Sequence, residues 1–130
     1  MKYVFNILMI VLISVSFVSC SRIIPIHNVE SSPIPFDLTE EKVGKSIINA
    51  GILLGRKMKR IDPGLISAKL FLREHIAEVE IEYDVKQYSI TYKSSENLSY
   101  EDGKIHKNYN SWVKNLDRGV QRQLLLSSNQ

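Results

Sequence analysis

Between Leu65 and Lys93 the chain alternates apolar and polar side chains in three consecutive runs, each cut off by a short turn. In "LISAKLFLR" Ile66, Ala68, Leu70 and Leu72 alternate with Ser67, Lys69, Phe71 and Arg73. In "IAEVEIEYD" Ala77, Val79, Ile81 and Tyr83 alternate with Glu78, Glu80 and Glu82. In "YSITYK" Tyr88, Ile90 and Tyr92 alternate with Ser89, Thr91 and Lys93. Successive side chains of a strand point to opposite faces, so each run reads as a strand with one buried and one wet face. Connections this short join antiparallel neighbours. "KMKRI" supplies a short first strand, ended by the turn "DPG" at Asp62 to Gly64. Across strands, the Glu row is expected beside Lys69, Arg73 and Lys93.

A sheet with one apolar face needs a cover. The flanking segments provide it. Thr39 is a good N-cap, Glu40 and Glu41 suit the positive end of a helix, and Leu38 and Val43 are spaced as a hydrophobic staple. Val43, Ile47, Ala50, Gly51 and Leu54 share one helical face, and Gly55 closes the helix. After a turn at Glu101 to Gly103, Tyr109, Trp112, Val113, Leu116, Val120 and Leu124 form a second helical stripe, weakened at Gly119. The expected fold is α+β: a four-stranded antiparallel meander with an N-terminal and a C-terminal helix on one face, in the order α-β-β-β-β-α. It occupies residues 38–125, followed by a loose tail at 126–130.

The amino terminus is different. "MKYVFNILMIVLISVSFVSC" has one Lys, then an apolar run from Val4 to Val18. That run is shorter than the roughly 20 apolar residues of a spanning helix. Its basic start, apolar core and small residues at the end read as a signal peptide over residues 1–19. "SRIIPIHNVESSPIPFD" carries Pro25, Pro33 and Pro35 beside Ser31 and Ser32, so residues 20–37 read as an extended tether. Such a tether reaches on the order of 50 Å. His27 lies in it with no neighbouring ligand residue.

Composition removes several classes of function. The net charge is +3 and only "GRKMKR", Gly55 to Arg60, concentrates positive charge, so nothing indicates a nucleic-acid partner. Cys20 is the single cysteine, which excludes an internal disulfide and a cysteine-based zinc site. H-E-x-x-H, G-x-S-x-G and a glycine-rich phosphate loop are all missing. His75 falls in a hairpin turn and His106 at the start of the last helix, without metal-ligand spacing. No metal or other cofactor is expected. Glu78, Glu80 and Glu82 recur about 7 Å apart on one strand face, too regular for an acid–base pair in contrasting environments. The segment "NLSYEDGKIHKNYNSWVKNL" gathers Tyr100, His106, Tyr109 and Asn110. Two readings stand there: aromatic core with polar turn residues, or a surface for sugar or peptide.

Two resemblances add to this. "FVSC" resembles the lipobox of bacterial lipoproteins, with Phe17 where Leu, Val or Ile is usual. It implies cleavage between Ser19 and Cys20, transfer of diacylglycerol to the Cys20 thiol and acylation, with chains such as palmitate, of the freed amine. Ser21 stands where enterobacterial lipoproteins kept in the inner membrane carry Asp, which implies the outer membrane with the domain in the periplasm. The block "YSITY…NLSYEDGKIHKNYNSWVKNL" resembles a family of small lipoproteins of Gram-negative bacteria, and the likeness extends loosely back to the first helix. It implies an envelope protein and carries no activity with it. The combined expectation is a membrane-anchored, non-catalytic binding or assembly module with an envelope protein partner. The alternative is a peptidoglycan-binding or wall-modifying protein, in which Tyr100, His106 and Asn110 act, or Trp112 or Tyr109 serves as a stacking platform.

Overall fold

The computed structural model describes residues 22–130. Ser19 and Cys20, with the expected signal segment, lie outside the described residues. In chain order the elements are β1 (Ile23–Pro25), β2 (Val29–Pro33), α1 (Glu40–Leu53), β3 (Lys57–Asp62), β4 (Leu65–Leu72), β5 (His75–Tyr83), β6 (Gln87–Glu96), β7 (Lys104–His106) and α2 (Lys107–Ser128). Among the described residues the architecture is α+β, with two helices and antiparallel strands. The main sheet has five strands in the order β2-β6-β5-β4-β3, and β1 pairs with β7 in a separate two-stranded sheet.

The helices form where their end signals sit. The Thr39 hydroxyl accepts from the Lys42 amide at 3.2 Å, capping α1. Its other end closes as a Schellman motif: the Gly55 amide donates to Ile52 O and the Arg56 amide to Gly51 O. That closure needs the left-handed backbone that Gly55 adopts at φ +74°. In α2 the His106 ring caps the first turn, its Nδ1 accepting from the Asn108 amide at 3.2 Å.

Both helices lie on the same face of the main sheet. Met58 of β3 packs so tightly against Gly51 that any side chain there would overlap it, and the Tyr88 hydroxyl of β6 donates to Asp117 of α2. The helices also touch each other, with Gly119 set against Ala50 and Leu54. Between the layers lie Ile47, Ile66, Ile81, Ile90, Val120 and Tyr109, all buried. The period-two pattern therefore does select the covered face.

The sheet is wider than the expected four-stranded meander. β2 adds a fifth strand antiparallel to β6, pairing Val29 with Ile90 and Ser32 with Tyr88. A bulge between those pairs leaves Ser31 at φ +48°, its amide bonded to the Ser89 hydroxyl at 2.9 Å. The part of the expected tether that the structure describes is thus folded. Val29 and Ile34 are buried, and the Asn28 side chain accepts from the Tyr92 amide at 3.0 Å. The physical reason is that β6 would otherwise present an open row of amides and carbonyls. Prolines are compatible with an edge strand, and Pro33 ends this one. The expected loose tail is also corrected: α2 continues through Ser128, and the Ser127 and Ser46 hydroxyls share a 2.8 Å hydrogen bond. Among the described residues no helix is long and apolar enough to cross a membrane.

Candidate binding surfaces

The four residues singled out near the C-terminal helix do not form one surface. Tyr109, on the first turns of α2, is 1% exposed, and its hydroxyl has no hydrogen-bond partner among the described residues. Burial, reinforced by neighbouring Tyr92, pushes its phenol well above the ordinary value. Asn110 is buried as well. Its Oδ1 accepts from the His27 amide and its Nδ2 donates to Pro25 O, both at 2.9 Å. Asn110 is thus a clamp on the segment between β1 and β2, and His27 belongs to the fold rather than to a free linker. His106 is engaged as the helix cap, and its amide donates to Leu98 O. Only Tyr100 presents a large open face. It is 49% exposed and stacks on Tyr92 at 4.6 Å between centroids and 20° between planes. Tyr92 in turn meets Tyr109 edge-on at 5.5 Å, so three rings run from the surface into the core. Trp112 is half-buried beside Leu70, Ala77 and the half-buried Arg56, whose guanidinium burial lowers below its usual value.

The largest polar arrangement is the uncovered face of the main sheet. Glu78 lies between Lys69 Nζ at 3.7 Å and Lys93 Nζ at 3.6 Å, and Lys93 also reaches Glu80 at 3.2 Å. Lys93 reaches both because it is the extra residue of a bulge: Val79 pairs with Tyr92 but Glu78 with Ser94. Ser67 donates to Glu78 Oε1 at 2.8 Å. Burial pushes the Glu78 carboxyl up. The Ser67 hydroxyl and the Lys93 and Lys69 ammoniums outweigh it together and hold the carboxyl below its ordinary value. The expected neighbours Lys69 and Lys93 are therefore in place, whereas Arg73 sits in the β4–β5 turn at φ +55°.

Beside this cluster runs an open groove of about 510 Å³. Lys57 and Lys59 of β3 line one side, and Phe71 and Ile61, both exposed, give it apolar ground. Lys69 lies 5.7 Å from the Phe71 ring centre, within cation–π range. The sequence signal for this groove was the Lys57/Lys59 alternation, which acquires meaning only once β3 is paired with β4 through Lys57–Lys69 and Lys59–Ser67. The arrangement can hold an anionic or extended polar partner by charge and by contact with Phe71. Among the described residues no His, Cys, Asp and Glu side chains group as metal ligands.

At the opposite end from the β4–β5 turn, clefts are lined by acids: Glu82 and Asp84 in one, Glu40, Glu41 and Asp62 in its neighbour. A further groove follows the last turns of α2, where Pro35 and Phe36 face Leu124 and Leu125.

No protein-family model matches the chain, and neither a curated protein nor a solved structure is similar to it.

Proposed function

We propose that this protein is a lipid-anchored envelope lipoprotein whose α+β domain is a non-catalytic binding or assembly module. The anchor is Cys20, placed by the lipobox-like "FVSC", and the location is the periplasmic side of the outer membrane. The observation that carries the binding role is the open sheet face. A cluster of Glu78, Glu80, Lys69 and Lys93 lies next to an apolar-floored groove, on the face that neither α1 nor α2 covers. A face of this kind suits an envelope protein partner through charge pairing and the exposed Phe71 ring.

The test is photo-crosslinking in living cells. A crosslinker at Lys59, Phe71 or Thr91 is expected to give one discrete protein adduct. A crosslinker at Asp84 is expected to give none. Equal labelling from both positions overturns the assignment of the face. Mass spectrometry of the mature protein is expected to find acyl chains on Cys20, and their absence overturns the anchor.

Tyr100 favours the second reading, binding of peptidoglycan glycan. It is an exposed aromatic ring held flat by Tyr92, and sugars stack on such rings. A Tyr100→Ala variant that pulls down less wall material than the parent selects this reading; unchanged recovery removes it.

A further inference from the structure

The folded segment after Cys20 changes where the domain stands. A tether of residues 20–37 would let it float, but β1 begins at Ile23 and is pinned. The Lys107 amide donates to Arg22 O at 2.9 Å, and Ile23 pairs with His106. Cys20 to Ile23 is three chain steps, so the anchoring residue lies within about 10 Å of the folded body. That reach is comparable to one headgroup layer, so the end of the domain that carries Ile23 is held close to whatever Cys20 is attached to.

That end is defined by the topology. His106 is bonded to Leu98, and Asn97 beside it holds the β4–β5 turn through His75 Nδ1 at 2.7 Å and Glu74 O. The turn follows Leu72, the last residue of β4, which is 46% exposed. Antiparallel pairing brings the start of β3 to the same end, and with it the close of α1, where Leu53 is 73% exposed. Strand pairing and the start of α2 put Lys57, Arg73 and Lys107 at this same end, with Glu74 and Glu96, and the half-buried Arg56 donates to Leu54 O there. The far end carries the clefts of Glu40, Glu41, Asp62, Glu82 and Asp84, where five acids outnumber Arg60 in one cleft and Lys86 in the turn beside the other. Exposed apolar side chains ringed by basic ones fit an interface with anionic headgroups, and the acidic end fits the side away from it.

We propose that the β4–β5 turn, the last turn of α1 and the start of β3 form a membrane-facing surface that rests on a bilayer containing anionic phospholipid. This rests on the reading of Cys20 as the anchor. A docked surface and a nearby lipid anchor reinforce each other, because the anchor holds the surface at high effective concentration. Lys57 stands where this surface meets the open groove of the main sheet, and docking leaves the rest of that groove, with Lys59, Phe71, Glu78 and Lys93, along the side of the molecule and available to a partner.

The experiment uses the full mature protein in vesicles of phosphatidylethanolamine and phosphatidylglycerol. A fluorescent label is placed at Leu72→Cys or, as control, at Asp84→Cys, both exposed positions. The expected result is that the label at residue 72 is shielded from aqueous iodide several-fold more than that at residue 84. Replacing phosphatidylglycerol by phosphatidylcholine is expected to weaken that shielding. Equal quenching of the two labels, in protein that floats with the vesicles and carries acyl chains on Cys20, overturns the docking while the anchor stands. Protein that stays behind and takes dye on Cys20 overturns the anchor, and docking with it. Shielding that appears only after envelope extract is added assigns the surface to a protein and overturns the membrane proposal.

Discussion

The two faces of the main sheet are built from the same strands, residue by residue, and answer to different physics. On the covered face Ile66, Val79, Ile81 and Ile90 are buried, and their sizes match the helices packed on them. On the open face Ser67, Glu78, Glu80 and Thr91 occupy the alternate positions, tied by long ion pairs. Close packing punishes any change of volume, whereas exposed ion pairs contribute little each. Stability should therefore sit on one face, and freedom to evolve a partner on the other.

The largest expected effect breaks the covered face. Ile81→Ala removes a fully buried side chain from the central strand. It should cost about 2–5 kcal/mol, read as a lower denaturation midpoint at unchanged slope. A loss under 1 kcal/mol would mean that the core collapses around the gap and that the face is loosely packed.

Tyr88→Phe comes next, because the Tyr88 hydroxyl donates to the Asp117 carboxylate inside the layer. Loss of a hydrogen bond to a charged group costs about 1.5–3 kcal/mol. Burial, with the Asp117 bond, pushes the Tyr88 phenol up to about 12. A raised pKa gives stability that is fully present below the ordinary phenol value near 10 and is lost as pH climbs through the folded value. The parent should therefore lose more stability than Tyr88→Phe across that alkaline window in paired denaturation curves.

On the open face Glu78→Gln should cost less than about 1 kcal/mol, and less again in high salt. The Glu78 carboxyl lies below its ordinary value of 4.5. Its contribution is present above that value and fades as pH falls through the depressed one. The parent and Glu78→Gln curves should converge in acid. If Glu78→Gln instead costs as much as Ile81→Ala, the two faces are energetically alike and the contrast fails.

The smallest effect sharpens the comparison from inside. Tyr109→Phe deletes a buried hydroxyl that has no partner among the described residues. Stability should stay level or rise slightly, because nothing is left unpaired by the change. A clear loss would show that the hydroxyl is satisfied in solution.

Much of this was legible because it is local. Period two in β4, β5 and β6, the Thr39 cap, the Gly55 closure and the Asp-Gly turn at Asp102 and Gly103 are decided within a few residues. The Glu78 cluster was legible too, since adjacent strands joined by short turns bring Lys69 and Lys93 beside it. The binding residues proposed around the C-terminal helix were less so. Tyr109 already belongs to the apolar stripe read for this helix, but nothing in the order tells that Asn110 beside it also points inward.

What the amino-acid order by itself determined is the class of the fold and the polarity of the two sheet faces. Each of these follows from spacing or from chemistry carried by neighbouring residues. Tertiary structure alone decided that residues 23–25 and 29–33 are strands, that Asn110 holds His27 and Pro25 from 83 and 85 positions away, and that Lys57 and Lys59 line a groove with Phe71. Those outcomes depend on which distant backbone groups lack partners, and a proline-rich segment has no period of its own to announce that it will supply them.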